Sequence, residues 1–290
     1  MDKTLKIIVD DKLNNTSIRD IMRKDLGISS GLIKKLKTYN DGIVLNGVRV
    51  NTDRVVSLGD ELTFVIHDDT SDNIVPADIE LKILYEDDDV IALNKPRNLP
   101  THPSQNHYED TLANGLMNYY SGLNFTFRAI TRLDKDTSGV VLVAKNPYSA
   151  QILGNDMKNK KIKKEYVAVV NGIPEPSDGR ISAPIRREKE SVITRCVAQD
   201  GKEAVTDYKA EKSFGRYSLV RLNPLTGRTH QLRVHMSYIG TPIYGDDLYG
   251  APQKDEATRL HCRKLVFIHP ASKKEMTVVA PLPDDMISLF

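Results

Sequence analysis

The stretch RLDKDTSG, residues 132–139, places two carboxylates, Asp134 and Asp136, two positions apart and ends on a glycine. Such a pair could bind calcium, carry out catalysis or belong to a polar turn. An EF-hand loop needs oxygen ligands at positions 1, 3 and 5 and a bidentate Glu at position 12. Counted from Asp134, position 12 is Lys145, and the apolar run VVLVA stands where ligands should continue. The spacing excludes calcium, and the octapeptide alone leaves a catalytic site and a solvated turn equally open.

The remaining candidates for metal or cofactor binding also fail on spacing. His230 and His235 are separated by about 140° on a helix, so they cannot face one ion as an H-E-x-x-H pair does. His235 is interpreted as a partly buried helix histidine, and His230 as a residue that caps or orients its neighbours. The two cysteines, Cys196 and Cys262, form no C-x-x-C pair. No G-x-G-x-x-G or Walker sequence occurs, and neither a metal nor a cofactor is expected.

Length and composition describe an ordinary globular protein. The chain has 290 residues, of which 40% are hydrophobic, so it can bury a sizeable core and is long enough for two domains. The net charge of +2 by itself indicates no polyanionic partner. The N-terminal stretch lacks the apolar core of a signal peptide, and no segment has the length of a membrane span. A cytoplasmic location without a membrane partner is expected. The sequence shows no coiled-coil pattern that would argue against a monomer, and a monomer is expected.

An acidic, proline-containing stretch, HDDTSDNIVPAD, predicts a linker over residues 67–78. It divides the chain into a first domain over residues 1–66 and a second over 79–290. In the second domain, strands outnumber helices and few crossover helices separate them. The segments predicted as strands are ELKILYED, DVIALNKP, GVVLVAK, KEYVAVVNG, AVTDYKAEKSF and YSLVRLNPL; those predicted as helices are YSAQILGNDMKNK and THQLRVHMSYIG. This pattern favours an α+β fold with a mixed, mainly antiparallel sheet.

The first domain reads as a small unit of helices and strands. Ser17 caps a helix that stops at Gly27, a second helix begins at Ser29 or Ser30, and the pair Asn46-Gly47 predicts a hairpin. The second helix turns Lys34, Lys35 and Lys37 towards solvent, which by composition alone indicates only solubility.

The order of ISSGLIKKLK, VLNGVRV and LGDEL resembles the alpha-L RNA-binding domain of the ribosomal-protein S-four type. The resemblance implies that the second helix lies against RNA phosphates, which position the RNA without reading its sequence. The implied contacts are Lys34, Lys35, Lys37, Arg49 and Arg54.

Several blocks of the second domain resemble the RluA-type RNA pseudouridine synthases, in the same order. They are NKPRNLPTHPS, RLDKDTSGVVLVAKN, KKEYVAVVNG, GRTHQLRVHMSYIGTPIYGDDLYG and LHCRKLVFIHP. The resemblance covers the whole domain and implies an isomerase that converts uridine to pseudouridine in RNA, most readily ribosomal RNA, without a cofactor. An N-terminal RNA-binding domain is common in this family.

The same resemblance implies roles for individual residues. Asp134 is the nucleophile, which attacks the sugar C1′ or the base, or acts as a base on the sugar. Arg233, with Arg228 as the weaker candidate, stabilises the ionised carboxylate. Tyr166 packs against the target uracil and assists removal of the C5 proton. Arg132 contacts a phosphate or fills the stack vacated by the extruded base, unless it is only a salt bridge that holds the loop, and Arg228 is a further RNA contact.

Other positions carry structural or double interpretations. Asp136 with its Thr-Ser neighbours suits a turn that fixes Asp134, and Gly139 gives the backbone freedom to enter the next strand. In NKPRNLPTHPS, the side chains of Lys95, Arg97 and His102 could face RNA, or the prolines could simply make a rigid loop.

Two positions depart from the family pattern. Thr131 stands where the signature often has His, and Arg97 stands where it often has Gly. The first departure puts in doubt any catalytic role for position 131.

Two other functions compete with the isomerase. The basic helix also suits a noncatalytic RNA-binding or ribosome-assembly factor. A glycoside hydrolase would need a second acid flanking the scissile bond, and Asp136 is a poor choice for it.

Overall fold

The first 66 residues form a small sheet with two short helical segments in the computed structural model, which describes residues 1–68, 74–188, 193–250 and 257–289. The helices begin where the sequence predicts: the Ser17 hydroxyl accepts a hydrogen bond from the Asp20 N–H, and the Ser29 hydroxyl accepts one from the Leu32 N–H. The elements are β1 (Lys3–Ile8), α1 (Ile18–Asp20) continued by a π-helical turn (Ile21–Asp25), α2 (Ser30–Leu36), β2 (Val44–Leu45), β3 (Val48–Arg49) and β4 (Glu61–Ile66).

The predicted hairpin joins β2 to β3. Asn46 and Gly47 both have positive φ, 50° and 78°, as a tight turn between right-twisted strands requires. The strands follow the order β1-β4-β2-β3. Their inner face packs under the two helices through side chains such as Ile18, Leu62 and Phe64, which are fully buried.

The rest of the described chain is built on a nine-stranded sheet. Its order is β5-β6-β7-β14-β8-β13-β12-β9, with β15 added to β14. The strands are β5 (Ile83–Glu86), β6 (Val90–Lys95), β7 (Ser138–Ala144), β8 (Lys163–Asn171), β9 (Asp178–Ser182), β12 (Val205–Phe214), β13 (Tyr217–Pro224), β14 (Leu260–Ile268) and β15 (Glu275–Val279). A separate hairpin contains β10 (Ile185–Arg187) and β11 (Arg195–Val197). The helices are α3 (Leu112–Tyr119), α4 (Pro147–Lys158), α5 (Gln231–Tyr238) and α6 (Asp284–Ile287).

Among the described strands, β7 and β14 make the parallel pairing, and the other ladders are antiparallel. This arrangement confirms the predicted α+β class with a mixed, mainly antiparallel sheet. All seven residues of β7 are buried, which explains why the strand reads as a continuous apolar run.

Helix α4 joins the first 66 residues to the large sheet. Its Tyr148 packs into the core of the small sheet, and the Tyr148 hydroxyl donates to the Leu26 carbonyl at 3.1 Å. Gln151, one turn further on, hydrogen-bonds the backbone that leads into α2. An ion pair of 2.7 Å links Lys3 of β1 to Asp89, just before β6.

The linker over residues 67–78 stays a prediction. Its residues 69–73 lie outside the described residues. Asp68, just before them, is buried and pairs with Arg128 and with the amino group of Met1. Among the helices that the structure describes, none has both the length and the apolar character needed to cross a bilayer.

Candidate active site

The loop that precedes β7, the start of β8 and the segment leading into α5 surround a cavity of about 710 Å³. Of the residues that the sequence assigns to the site, five line this cavity: Arg132, Asp134, Tyr166, Arg228 and Arg233. Lys34 and Lys35 lie on α2 and Lys37 directly follows it, and the three are not part of the cavity lining. The folded chain thus brings the proposed catalytic residues together and leaves the basic helix on another surface.

Asp134 is held by the loop on both sides of it. The Thr137 N–H donates to the Asp134 carbonyl at 3.1 Å and closes a turn. Thr101 fixes the preceding residue, because its hydroxyl donates to the Leu133 carbonyl at 2.8 Å. The Asp134 side chain is 38% exposed, so its carboxylate remains accessible from the cavity.

Lys95 anchors the same loop from below. Its ammonium donates to the carbonyls of Pro96, Leu99 and Lys135, at 2.7 to 3.0 Å. The side chain is fully buried, and burial lowers the pKa of Lys95 to about 7, while attraction to Asp136 and Asp134 opposes that shift. The charges of both loop acids therefore act on the loop anchor, and the structural role of Asp136 stays a prediction.

The interpretation of Lys95 and Arg97 as RNA contacts is wrong. Lys95 is buried against carbonyls, and the guanidinium of Arg97 forms a two-pronged ion pair with Asp285 of α6. Both residues instead fix the rigid loop that the prolines predict. His102 is different, because it lines the cavity and meets Phe127 edge-on at 4.9 Å. Burial first, and then the charge of Arg132, lower the pKa of His102.

Tyr166 lies on β8, paired with Leu222 of β13 on one side and Cys262 of β14 on the other. It is 7% exposed and its phenol faces the cavity and the Cys262 thiol. Burial raises the pKa of Tyr166 well above its ordinary value, and Cys262 and Asp134 act in the same direction. The resting form of Tyr166 is therefore the neutral phenol, a flat apolar surface with a hydroxyl at its end.

Arg233 is 2% exposed at the start of α5. Its guanidinium donates to both oxygens of Asp246, at 2.7 and 2.6 Å, and to Asp247 at 3.1 Å. It also lies 5.2 Å from the centre of the Tyr249 ring. Its action on Asp134 is electrostatic attraction and not a hydrogen bond. Arg233 thus supplies a positive charge that attracts Asp134, and its position is fixed by Asp246.

His230 is the residue whose role the sequence left most open. Its Nε2 lies 4.0 Å from Oδ2 of Asp134, and its Nδ1 lies 2.7 Å from the Tyr249 hydroxyl. Its backbone has φ of 56°, in the left-handed region, and its side chain makes no capping hydrogen bond to α5. Of the two predicted roles, orienting neighbouring groups fits, whereas capping does not.

His235 is a buried helix histidine, as predicted. Its Nε2 donates to the Ala183 carbonyl at 2.9 Å, so its Nδ1 accepts from the Thr206 hydroxyl at 2.9 Å. His230 and His235 therefore serve different partners.

Arg132 and Arg228 stand at the cavity with exposed side chains. The salt bridge considered for Arg132 is not made with any residue that the structure describes. Arg228 donates from Nε to the Glu203 carbonyl at 2.8 Å, which fixes its stem and leaves its remaining donors available. Both guanidinium groups are placed to meet an anionic ligand that enters the cavity.

Three further residues of the site escaped the sequence reasoning: Lys164, Tyr249 and Cys262. Lys164 lines the cavity beside Tyr166, and burial lowers its pKa. Burial raises the pKa of the Cys262 thiol to about 12. These residues occur in the blocks KKEY, GDDLYG and LHCR. Residue type and spacing alone do not indicate that the three side chains lie at the site.

In the described part of the chain, the group that could offer ligand atoms to a metal ion is Asp87, Asp89 and His269, outside the cavity lining. These atoms already have partners: His269 Nε2 lies 2.7 Å from Asp87, and Asp89 binds Lys3. The cavity itself offers an accessible carboxylate, a neutral phenol and several cationic groups. This set suits nucleophilic or proton-transfer chemistry on an anionic substrate.

Comparisons with known proteins agree over most of the chain. A family model described as RNA pseudouridylate synthase matches residues 89–238. The chain is 39% identical over 270 residues to YjbO of Bacillus subtilis, named as an uncharacterized RNA pseudouridine synthase, covering 92% of this chain and 95% of that protein. It is 35% identical over 274 residues to ribosomal large subunit pseudouridine synthase D of Haemophilus ducreyi, covering 88% and 84%. The structure of human RNA pseudouridylate synthase domain containing 1 matches with a TM-score of 0.61 and 29% identity, over 71% of this chain and 84% of that chain. The chain belongs to the RNA pseudouridine synthase family.

Proposed function

We propose that this RNA pseudouridine synthase isomerises uridines of ribosomal RNA and that Asp134 is the reacting carboxylate. The observation that carries the assignment is the accessible Asp134 side chain, which lines a cavity together with Tyr166, His230 and Arg233. Asp136, the other acid of the loop, is not among the residues that line the cavity.

The reaction needs no oxidant and no second substrate. The bond between ribose C1′ and uracil N1 breaks, the uracil turns, and a bond between C1′ and C5 forms. The proton on C5 is then lost, and N1 gains one. Asp134 can serve by attacking C1′, by attacking the base or by removing a proton from the sugar.

Arg233 and Tyr166 support that carboxylate in different ways. The positive charge of Arg233 attracts the Asp134 carboxylate from a position fixed by Asp246. Tyr166 offers its ring to the uracil. Since its phenol is neutral at rest, its part in removing the C5 proton is through the hydroxyl and not through a standing phenolate.

The target uridine must leave its stack to reach the cavity, because Asp134 cannot approach C1′ inside a helix. Arg132 and Arg228, both exposed at the cavity, contact the phosphates or fill the vacated position. Guanidinium groups suit this task because they both pair with phosphate and stack on bases.

Ribosomal RNA is the proposed substrate because relatives such as the Haemophilus ducreyi protein are named for the large ribosomal subunit. The first 66 residues act as an alpha-L, S-four-like RNA-binding domain, with Lys34 and Lys35 on α2 and Lys37 at its C-terminal end. A ribosomal RNA substrate places the enzyme in the cytoplasm. We propose that it acts there as a monomer.

The test is release of tritium from C5 during single-turnover reactions. The substrate is large-subunit ribosomal RNA from cells that lack the enzyme, labelled at C5 of its uridines. We expect release with the wild-type protein and a loss of about a thousandfold or more in Asp134→Asn, because removal of a nucleophile leaves only binding effects. Activity of Asp134→Asn, with deamidation excluded by mass spectrometry, would overturn the assignment. Release from labelled transfer RNA but not from ribosomal RNA would overturn the assignment of ribosomal RNA as the substrate.

The exposed basic face of α2 also suits a role in ribosome assembly. Complementation separates the two functions. If assembly defects of a deletion strain are fully corrected by Asp134→Asn, those defects arise from RNA binding and not from catalysis.

A further inference from the structure

His230 faces Asp134 from the start of α5. The distance from Nε2 to Oδ2 is 4.0 Å, and the His230 side chain is 11% exposed. The left-handed backbone of His230 turns the residue out of the helical path, so that its ring enters the cavity instead of capping the helix. A non-glycine residue in this conformation costs energy that the surrounding structure must supply.

Tyr249 determines which nitrogen of His230 carries the proton. The Tyr249 hydroxyl accepts a hydrogen bond from the Arg195 backbone N–H at 2.9 Å and lies 2.7 Å from Nδ1 of His230. The hydroxyl has one proton of its own to donate, and among the described residues its acceptor is Nδ1. A neutral His230 ring therefore carries its hydrogen on Nε2, the atom that faces Asp134.

The surroundings keep this ring neutral near pH 7. Burial lowers the pKa of His230; Asp134 and Asp246 oppose this effect, whereas Arg233 and Arg195 add to it. With its hydrogen on Nε2, the ring can donate to a carboxylate from that atom but cannot remove a proton with it.

We propose that His230 is a positioning residue for the isomerisation, which donates from Nε2 to the Asp134 carboxylate, and that Tyr249 holds its ring in the required tautomer. The inference rests on the proposed role of Asp134. The 4.0 Å separation closes by about 1 Å when the uridine enters, since catalytic hydrogen bonds are often long before the substrate binds. The contact fixes one oxygen of Asp134 and leaves the other directed at the substrate.

The first test compares two substitutions in the single-turnover tritium assay on labelled large-subunit ribosomal RNA. His230→Leu removes the donor and lowers the rate by about 10- to 100-fold, as expected for a hydrogen bond to a charged group. His230→Gln supplies an amide N–H and regains most of that loss. Equal rates in the two variants, with unfolding temperatures unchanged, would overturn the proposal.

The second test asks whether Tyr249 acts through His230. Tyr249→Phe keeps the ring beside Arg233 but removes the hydroxyl, and we expect a rate about 3- to 10-fold lower. In the His230→Leu background the same change has no further effect, because the hydrogen-bonding partner is gone. Tyr119→Phe, which removes an exposed hydroxyl bonded to Glu86, is the matched control. Additive effects of the two substitutions would contradict the relay.

The third test observes the tautomer directly, by two-bond proton–nitrogen correlation spectra of the protein with isotope-labelled histidine. The His230 signals, assigned by their loss in His230→Gln, show a protonated Nε2 and a bare Nδ1 in the wild type. In Tyr249→Phe they move towards a mixture of tautomers. A protonated Nδ1 in the wild type would overturn the inference.

Asp134→Asn separates the two proposals. If it retains activity, the assignment of Asp134 fails. If it is inactive and folded while His230→Leu turns over as fast as the wild type, only the His230 inference fails.

Discussion

At the level of single residues, the site depends on buried basic side chains that donate hydrogen bonds to oxygen acceptors. Arg233 is held by Asp246, and Lys95 by three backbone carbonyls. Three carbonyl acceptors match the three protons of the ammonium form, which offsets part of the cost of burying Lys95. The consequence is an anchored loop on which Asp134 stays accessible from the cavity, next to the exposed Arg132.

Lys95→Met tests this anchor. The substitution keeps the volume but leaves three carbonyls without a donor, so we expect the free energy of unfolding to fall by about 2 to 4 kcal/mol. The turnover rate also falls, because the loop that carries Asp134 loses a support. Urea denaturation and the tritium assay measure the two effects. Lys82→Met, at an exposed position, is the control and changes stability by less than about 0.5 kcal/mol; a similar result for both variants would contradict the anchoring role.

At the scale of elements, the site depends on how closely β14 approaches β7. Gly139 has φ of 112°, and a Cβ atom there would lie 2.2 Å from the Cys262 carbonyl oxygen. The parallel pairing of His261 and Cys262 with Ser138 and Gly139 therefore requires glycine at the end of RLDKDTSG. It brings β14 beside the loop of Asp134.

Gly139→Ala tests that approach. We expect a loss of at least about 3 kcal/mol in the free energy of unfolding, because both the dihedral angle and the space are unsuitable for a side chain. Gly154→Ala in α4 is the matched control: nothing lies within 4 Å of its added Cβ, and the helix gains about 0.5 to 1 kcal/mol. Chemical denaturation measures the free energy of unfolding of both variants. A loss of less than about 1 kcal/mol in Gly139→Ala would show that β14 can shift away from β7.

The same pairing predicts sensitivity to acid. His261 hydrogen-bonds Ser138 at 2.9 Å, and burial lowers the pKa of His261 from 6.5 to about 4. Between these values the unfolded chain binds more protons than the folded protein. The contribution of His261 to the free energy of unfolding is therefore fully present above pH 6.5. It is lost as the pH falls towards 4 and amounts to about 3 kcal/mol.

In His261→Gln, the free energy of unfolding should fall less between pH 6.5 and pH 4 than in the wild type. Denaturation at several pH values measures this difference. His67→Gln is the control with the opposite sign. Hydrogen bonds to Asp41 and Asp2 raise the pKa of His67, so its small contribution fades as the pH rises. An unchanged acid dependence in His261→Gln would show that other groups carry it.

At the scale of the whole molecule, the small N-terminal sheet and the large sheet are joined through α4. Tyr148 completes the core of the first 66 residues, and Lys3 pairs with Asp89 beside β6. Since the packing of Tyr148 is apolar and the Lys3–Asp89 ion pair is largely buried, α2 is held in a defined position relative to the cavity. This suits an RNA that contacts the α2 lysines and the active site at once.

Replacing Lys34 and Lys37 together with Gln tests RNA contact by α2. We expect weaker binding of ribosomal RNA and a slope of log affinity against log salt that is shallower by about 0.7 to 0.9 for each phosphate that α2 no longer neutralises. Filter binding at several salt concentrations measures both. The double variant Lys209→Gln with Lys274→Gln removes the same charge from exposed positions elsewhere and serves as control. Equal slopes in the two double variants would contradict a specific role for α2.

Local signals predicted many of the elements. The helix caps at Ser17 and Ser29, the hairpin at Asn46-Gly47 and the apolar strand β7 all depend on residues close together in sequence, and all occur as predicted. The strands β1, β9 to β11, β14 and β15 and the helices α3 and α6 were not predicted. Strands β9 to β11 have three to five residues, too few for a periodic pattern to emerge from the chain alone.

Blocks such as RLDKDTSG and KKEYVAVVNG, through their resemblance to a known family, predicted an RNA pseudouridine synthase, which the comparisons confirm, whereas the role of Asp134 stays a prediction. The folded structure was needed to show that Lys95 and Arg97 are internal supports, that Asp246 holds Arg233, and that His230 faces Asp134. The physical reason is range. Residue type and local spacing fix what a side chain can do and which turn it can enter, whereas a buried partner far along the chain is fixed only when strands pair and cores pack.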